Sequence, residues 1–306
     1  MTMEYVFTSN AIKKRYGKYT ALSGLTMNVP KGSIYGLIGR NGAGKTTAIR
    51  IICGLQEPSE GEYTLYGAGS GDRRISDARR RIGAVVETPA LYRDLTAIEN
   101  IRQQYRVIGV PDHSGAKELL KLVGLEDTGK KKVKHFSLGM RQRLGIALSL
   151  AGDPDFLLLD EPINGLDPQG IIEIRELICK LNREYGITVL ISSHILGELA
   201  KLATCFGFID SGRMVREISA EELSAECRKC VRLEVTDTAA LARVLDADKT
   251  EYRIVSDTQA EIFDTVQVTK LALALHAEGC DILTMSEKNE SLESYYVGLV
   301  GGEVHE

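Results

Sequence analysis

The chain has 306 residues, 43% of them hydrophobic and 26% charged, with 30 glycines and 7 prolines. This is ordinary globular composition for about two domains, and it excludes a disordered, collagen-like or coiled-coil chain. Acidic residues outnumber basic ones, 42 against 38, and the net charge of −4 supplies no excess with which to neutralise a nucleic-acid backbone.

No apolar run approaches the ~18 residues of a membrane span, and Met1-Thr2-Met3-Glu4 lacks the basic and apolar parts of a secretory leader. Six cysteines at irregular spacing are too sparse for a disulfide scaffold. The expectation is a soluble, cytoplasmic chain with no direct nucleic-acid partner.

In chain order, the first decisive signal is an apolar run at 33–38, read as a strand, and a helical periodicity over 45–53. Between them stands Gly39-Arg40-Asn41-Gly42-Ala43-Gly44-Lys45-Thr46, which fits G-x-x-x-x-G-K-[ST] in the strand–loop–helix context that the motif requires. Glycines let successive backbone N–H groups converge on phosphate oxygens, and the helix start adds its partial positive charge. Lys45 supplies a full charge to the β and γ phosphates, and Thr46 offers a hydroxyl to Mg²⁺. Thr47 stands where a dinucleotide fingerprint needs its third glycine, so that rival fails.

A strand at 82–86 follows, then a helix-rich stretch over about 96–152, with helices at 96–107, 114–123 and 139–150, read as a helical subdomain inserted between sheet strands. The runs at 156–159 and 188–191 are apolar at consecutive positions, as strands buried on both faces of a parallel sheet are. The first ends in Asp160-Glu161-Pro162. An acidic pair after a strand would by itself be a solvated turn. Downstream of a phosphate loop, Asp160 can hold the Mg²⁺ shell and Glu161 can polarise a water in line with the γ-phosphate. Helices at 169–184 and 196–203 and a strand at 205–209 complete an α/β region over 1–218.

The remainder, 219–306, changes texture. Strands at 231–235, 251–255, 260–263 and 281–285 and helices at 238–245, 268–276 and 291–299 give β-α-β-β-α-β and a final helix, the order of a split βαβ unit. Cys227-Arg228-Lys229-Cys230 has no second pair or histidines beside it and is read as neither a zinc nor a redox site. The clusters Arg79-Arg80-Arg81 and Lys130-Lys131-Lys132 are read as solvated faces.

Three more motifs keep a fixed order around the acidic pair. Phe136-Ser137-Leu138-Gly139-Met140-Arg141-Gln142 precedes it, Asn164-Gly165-Leu166-Asp167 follows, and His194 ends Ser192-Ser193-His194. With these, residues 4 to about 218 resemble the ATP-binding subunit of ABC transporters. The resemblance implies an α/β P-loop fold of ABC type with a helical insertion, joined to a small C-terminal α+β domain. It implies that Ser137 and Gly139 form the signature that meets the γ-phosphate, that Asp167 belongs to the D-loop, and that His194 is the switch histidine. Arg40, Asn41, Ala43 and Thr47 then complete the nucleotide loop. Tyr16 matches the aromatic that stacks on adenine, with Tyr19 as a nearby competitor.

The same resemblance implies ATP and Mg²⁺ as ligands, and Lys45, Glu161 and His194 as the catalytic set. It further implies a homodimer, or pairing with a similar ATPase subunit, in which each ATP lies between one chain's loop and the other's Ser137. Integral-membrane permease subunits would be the partners, placing the chain on the inner face of the cell membrane. Leu138 and Met140 replace the usual glycine and glutamine, and Glu87 stands where a glutamine normally reaches the metal. Glu87 is therefore either a third metal donor or a solvent-facing acid that never reaches the site. Together with 82–89 and Leu95-Thr96-Ala97-Ile98-Glu99-Asn100, these departures look like the bacitracin-resistance and lantibiotic-immunity subgroup. A soluble ABC ATPase with a regulatory, ribosomal or chromosomal role is the alternative.

Overall fold

The computed structural model describes residues 4–227, 230–264, 266–288 and 292–300. The chain divides into two units, Met1–Ala220 and Glu221–Glu306. The first runs β1 (Tyr5–Tyr16), β2 (Tyr19–Pro30), β3 (Ile34–Ile38), α1 (Lys45–Ile52), β4 (Glu60–Leu65), β5 (Ala68–Gly69), α2 (Ile75–Arg79) and β6 (Ile82–Val85). It continues with α3 (Ala97–Ile108), α4 (Ala116–Leu122), α5 (Leu138–Ser149), β7 (Phe156–Asp160), α6 (Pro168–Tyr185), β8 (Thr188–Ser193), α7 (Leu196–Leu199), β9 (Cys205–Asp210) and β10 (Arg213–Ser219).

A six-stranded sheet in the order β10-β9-β3-β8-β7-β6 is parallel except for β10 at one edge. Strands β3, β7 and β8 are buried at every position, which is why their sequences run apolar without alternation. A second, antiparallel sheet, β2-β1-β4-β5, shares a core with the first: Phe7, Leu25 and Met27 pack in one cluster with Leu37, Ile49 and Leu158. This sheet is the element that sequence reading left unassigned. The β1–β2 ladder carries several register shifts, and Ala11 sits at φ 50, so the alternation that marks a half-buried strand is broken in mid-run.

The insertion over 96–152 contains the three expected helices. Thr96 and Glu99 form a reciprocal capping box at the start of α3, and Gly109 closes it at φ 77, the usual left-handed stop. The helix expected over 196–203 is a correction: α7 ends at Leu199. Leu199 and Ala203 lie against Gly36 of β3, and the Thr204 N–H donates to Ile34 O at 2.8 Å, so the chain leaves the helix to begin β9.

The second unit runs α8 (Ala220–Glu226), β11 (Cys230–Val235), α9 (Thr238–Ala247), β12 (Tyr252–Ile254), β13 (Gln259–Ile262), α10 (Val268–Ala277), β14 (Ile282–Lys288) and α11 (Leu292–Leu299). Its sheet order is β12-β13-β11-β14, antiparallel throughout, so each β-α-β crossover skips one strand. Leu233, Val235, Leu241, Ile262 and Leu275 form its core. On the alternate positions Glu261, 2% exposed, pairs with Arg232 at 2.7 Å and Arg253 at 2.5 Å, its register neighbours on the two flanking strands. Arg228, Lys229 and Ser291 of the expected C-x-x-C and final helix lie outside the described residues.

Candidate active site

The loop between β3 and α1 is shaped by two glycines that no other residue can replace without displacing backbone. A Cβ on Gly39 would lie 2.5 Å from Ile209 O, and one on Gly44 would lie 2.7 Å from Leu22 Cδ2 and 2.8 Å from Ala21 O. Gly44 also sits at φ 108, a conformation costly for any side chain. Pinned between β2 and β9, the loop turns tightly, with Ala43 N–H donating to Arg40 O at 3.1 Å and Gly212 N–H to Ala43 O at 3.0 Å. No side chain caps the start of α1, so its first N–H groups are left for an external acceptor, and the helix dipole favours an anion there.

Lys45 is buried, and its ammonium donates to Gly39 O at 2.7 Å and Arg40 O at 3.2 Å. It also lies 3.3 Å from Glu161 Oε1. The other oxygen of Glu161 meets His194 Nδ1 at 2.8 Å. Glu161 follows the last residue of β7 and sits at φ 50, a left-handed turn that swings its carboxylate toward the loop. Asp160, 2% exposed, accepts from Ser192 Oγ at 2.6 Å. A pocket of about 210 Å³ is lined by Asn41, Gly42, Gly44, Lys45, Thr46 and Thr47 of the loop, by Glu161 and Asn164, and by Tyr19 and Ala21 of β2.

Uncapped amides, one buried ammonium and a cleft of this volume suit a polyphosphate. Among the described residues no group of three His, Cys, Asp or Glu gathers to cage a metal. Thr46 lines the pocket, and Asp160 does not, standing at the end of β7 one residue before Glu161; the Thr46 hydroxyl and the Asp160 carboxylate are both hard oxygen donors. That donor set fits Mg²⁺, which keeps waters and takes substrate oxygens rather than an all-protein cage. Cys53, just beyond α1, is chemically quiet: burial, then the charge of Asp160, push its thiol up to about 12 against the opposing pull of Arg79.

The remaining expected residues lie elsewhere. Ser137 caps α5, accepting the Met140 N–H at 3.2 Å, and Asp167 caps α6, accepting the Gly170 N–H at 3.0 Å. The two helix starts adjoin: a Cβ on Gly139 would lie 3.8 Å from Leu166 Cδ2, and one on Gly165 3.4 Å from Leu138 Cδ2. Ser137, Gly139 and Asp167 do not line the pocket of their own chain. Neither does Tyr16, whose hydroxyl bonds Gln56; Tyr19 lines it instead. Glu87 is also outside the wall, at φ 60, with its carboxylate 2.6 Å from Arg50 of α1. Arg40 is exposed on the loop. Sequence reading missed Tyr19 as a wall, Asn164 and Ser192. Asn164 and Ser192 both lay inside motifs already singled out, but the role of Ser192 depends on strand register, which those motifs do not encode.

The sequence profile of the ABC transporter family matches residues 22–164. The bacitracin transport ATP-binding protein BcrA of Enterococcus faecalis is 38% identical over 305 residues, covering 99% of this chain and 98% of that protein. The lantibiotic transport ATP-binding protein SrtF of Streptococcus pyogenes is 47% identical over 206 residues, 67% of this chain and 87% of that protein. Among solved structures, cbiO1 of Clostridium perfringens, part of an ABC transporter complex, is similar with a TM-score of 0.65 and 27% identity over 73% of this chain and 92% of its own. The dimeric ATP-binding cassette MJ0796 in a post-hydrolysis state with ADP and Pi has a TM-score of 0.62 and 28% identity over 70% of this chain and 98% of its own. Among the described residues no helix is long and apolar enough to cross a membrane.

Proposed function

Because the chain belongs to the ABC transporter family, as one of its ATP-binding subunits, we propose that it hydrolyses ATP to drive separate permease subunits that remove a peptide antibiotic of the bacitracin or lantibiotic kind, or a related amphiphile. The observation that carries the chemistry is the Lys45–Glu161–His194 chain at the mouth of the phosphate loop. Lys45 and the loop amides bind the phosphates. Glu161 takes the proton of the attacking water, and His194 holds the carboxylate by its second oxygen. Thr46 and Asp160 would hold Mg²⁺, which supplies neutralising charge to the phosphate oxygens.

Ser137 and Gly139, at an α5 start away from their own pocket, act on the ATP of a second copy or a similar subunit, with Asp167 beside them. This places two nucleotides at a dimer interface and makes closure depend on the γ-phosphate. Tyr16, with Tyr19 as competitor, receives adenine at the β1–β2 hairpin. Glu87, freed from Arg50 when the permease engages its loop, would be a third oxygen donor for Mg²⁺. The permease holds the subunit at the inner membrane face. Support for the cargo class comes from the names of relatives aligned along both units of the chain.

Purification from detergent-solubilised membranes should recover permease subunits, identified by mass spectrometry. Cells carrying Glu161→Gln should lose protection against bacitracin or a lantibiotic while retaining the complex. A chain that purifies without a membrane protein, or protection that survives Glu161→Gln, refutes the reading.

A further inference from the structure

Ser192 is fully buried at the carboxyl end of β8, and the parallel register sets it beside Asp160. Its hydroxyl donates to Asp160 Oδ1 at 2.6 Å and accepts the Glu161 N–H at 3.0 Å. Its carbonyl takes the same N–H at 3.2 Å. A hydroxyl has one hydrogen and two lone pairs. With the hydrogen committed to a carboxylate, in the stronger charge-assisted kind of bond, a lone pair is left for the amide of the next residue. One side chain therefore grips two consecutive acids by different handles: the first by its carboxylate, the second by its backbone.

We propose that Ser192 is a positioning residue for both acids, fixing the rotamer of Asp160 toward the metal and anchoring the left-handed backbone of Glu161 that carries its carboxylate to Lys45 and His194. The inference rests on the reading of Asp160 as the metal-holding carboxylate. The adjacent Ser193 is equally buried, yet its hydroxyl accepts the Ile195 N–H at 2.9 Å and serves the turn after β8, so the role is specific to one of two neighbouring serines. An apolar residue at position 192 would preserve the strand and the carbonyl's bond to the Glu161 N–H, and would lose both bonds of the hydroxyl.

The test uses full-length Ser192→Ala, Ser192→Thr and Asp160→Asn, with binding of the non-hydrolysable analogue AMP-PNP measured calorimetrically in EDTA and in Mn²⁺, and kcat and KM measured for ATP. Ser192→Ala should keep its EDTA affinity within about twofold and lose about tenfold of the gain that Mn²⁺ confers, the usual scale for removing a partner of a metal ligand. Its kcat should fall more than its KM rises, and Ser192→Thr should restore both. A full Mn²⁺ gain in Ser192→Ala, or equal weakening in EDTA and Mn²⁺, overturns the positioning role. If Asp160→Asn also keeps the full gain, the underlying reading of Asp160 fails with it. If Asp160→Asn alone loses the gain, only the inference about Ser192 fails. Should Ser192→Ala not fold, Ser192→Cys carries the comparison, since a thiol is a weak donor: the gain must be lost there, and its retention overturns the proposal.

Discussion

Both units bury a carboxylate, and they treat it in opposite ways. In the N-terminal unit Asp160 lies at the carboxyl end of a parallel strand, gripped by a neutral serine hydroxyl, while Glu161 next to it reaches into a pocket. In the C-terminal unit Glu261 lies within an antiparallel strand and is clamped from both sides by Arg232 and Arg253. The first arrangement leaves charge available to a ligand, and the second closes the charge within the protein. Burial of an acid therefore does not mark a site. Its position at the open end of a parallel sheet does.

The largest effect that tests this contrast is on turnover. Glu161→Gln should slow ATP hydrolysis by about 10²–10⁴-fold, the range for a lost general base, while ATP binding by calorimetry stays intact. Normal turnover would place Glu161 with Glu261 as a structural acid. Next comes the clamp itself. Glu261→Gln should destabilise the C-terminal unit by about 0.5–1.5 kcal/mol, because only the carboxylate is buried and both arginines reach solvent, seen as a lower transition in scanning calorimetry. Nucleotide affinity should change less than twofold, and a larger loss would show that the clamp serves the site.

A smaller effect separates the two tyrosines of the β1–β2 hairpin. Tyr16→Ala should cost ATP about 1 kcal/mol, the scale of base–aromatic stacking, and leave tripolyphosphate unaffected, whereas Tyr19→Ala, in the wall of the phosphate pocket, should weaken both. Competition binding of ATP and tripolyphosphate reads the difference, and the reverse pattern would exchange their roles. The smallest effect concerns the exposed Arg50–Glu87 pair, of a kind worth about 0.2–1 kcal/mol. Arg50→Ala should release Glu87, and Glu87→Gln should lower the Mg²⁺ needed for half-maximal activity. Identical Mg²⁺ titrations in wild type and Glu87→Gln would leave Glu87 as a surface acid.

What the sequence made legible follows from how locally each feature is encoded. The phosphate loop, the acidic pair and the strands read at 156–159 and 188–191 were legible because tight turns need glycine at fixed offsets and doubly covered strands run apolar at consecutive positions. The split βαβ order was readable because its periodicity switches cleanly between strand and helix. The antiparallel sheet of β1 and β2 was not, since bulges interrupt its alternation. Tyr19 and Ser192 were not either: one enters the wall through hairpin geometry and the other meets Asp160 through strand register, and neither relation exists between neighbours in the chain.

The Lys45 ammonium has a consequence for selectivity. It is already satisfied by two carbonyls and by Glu161, so an arriving phosphate must displace a tethered rival rather than fill a need. A carboxylate held in the same fold competes at an effective concentration on the order of millimolar or higher, which screens out dilute simple anions that lack the loop amides to hold them. On the proposed roles, the polyphosphate that succeeds would also detach Glu161 from the lysine, and the base would be set loose by the substrate it is meant to serve.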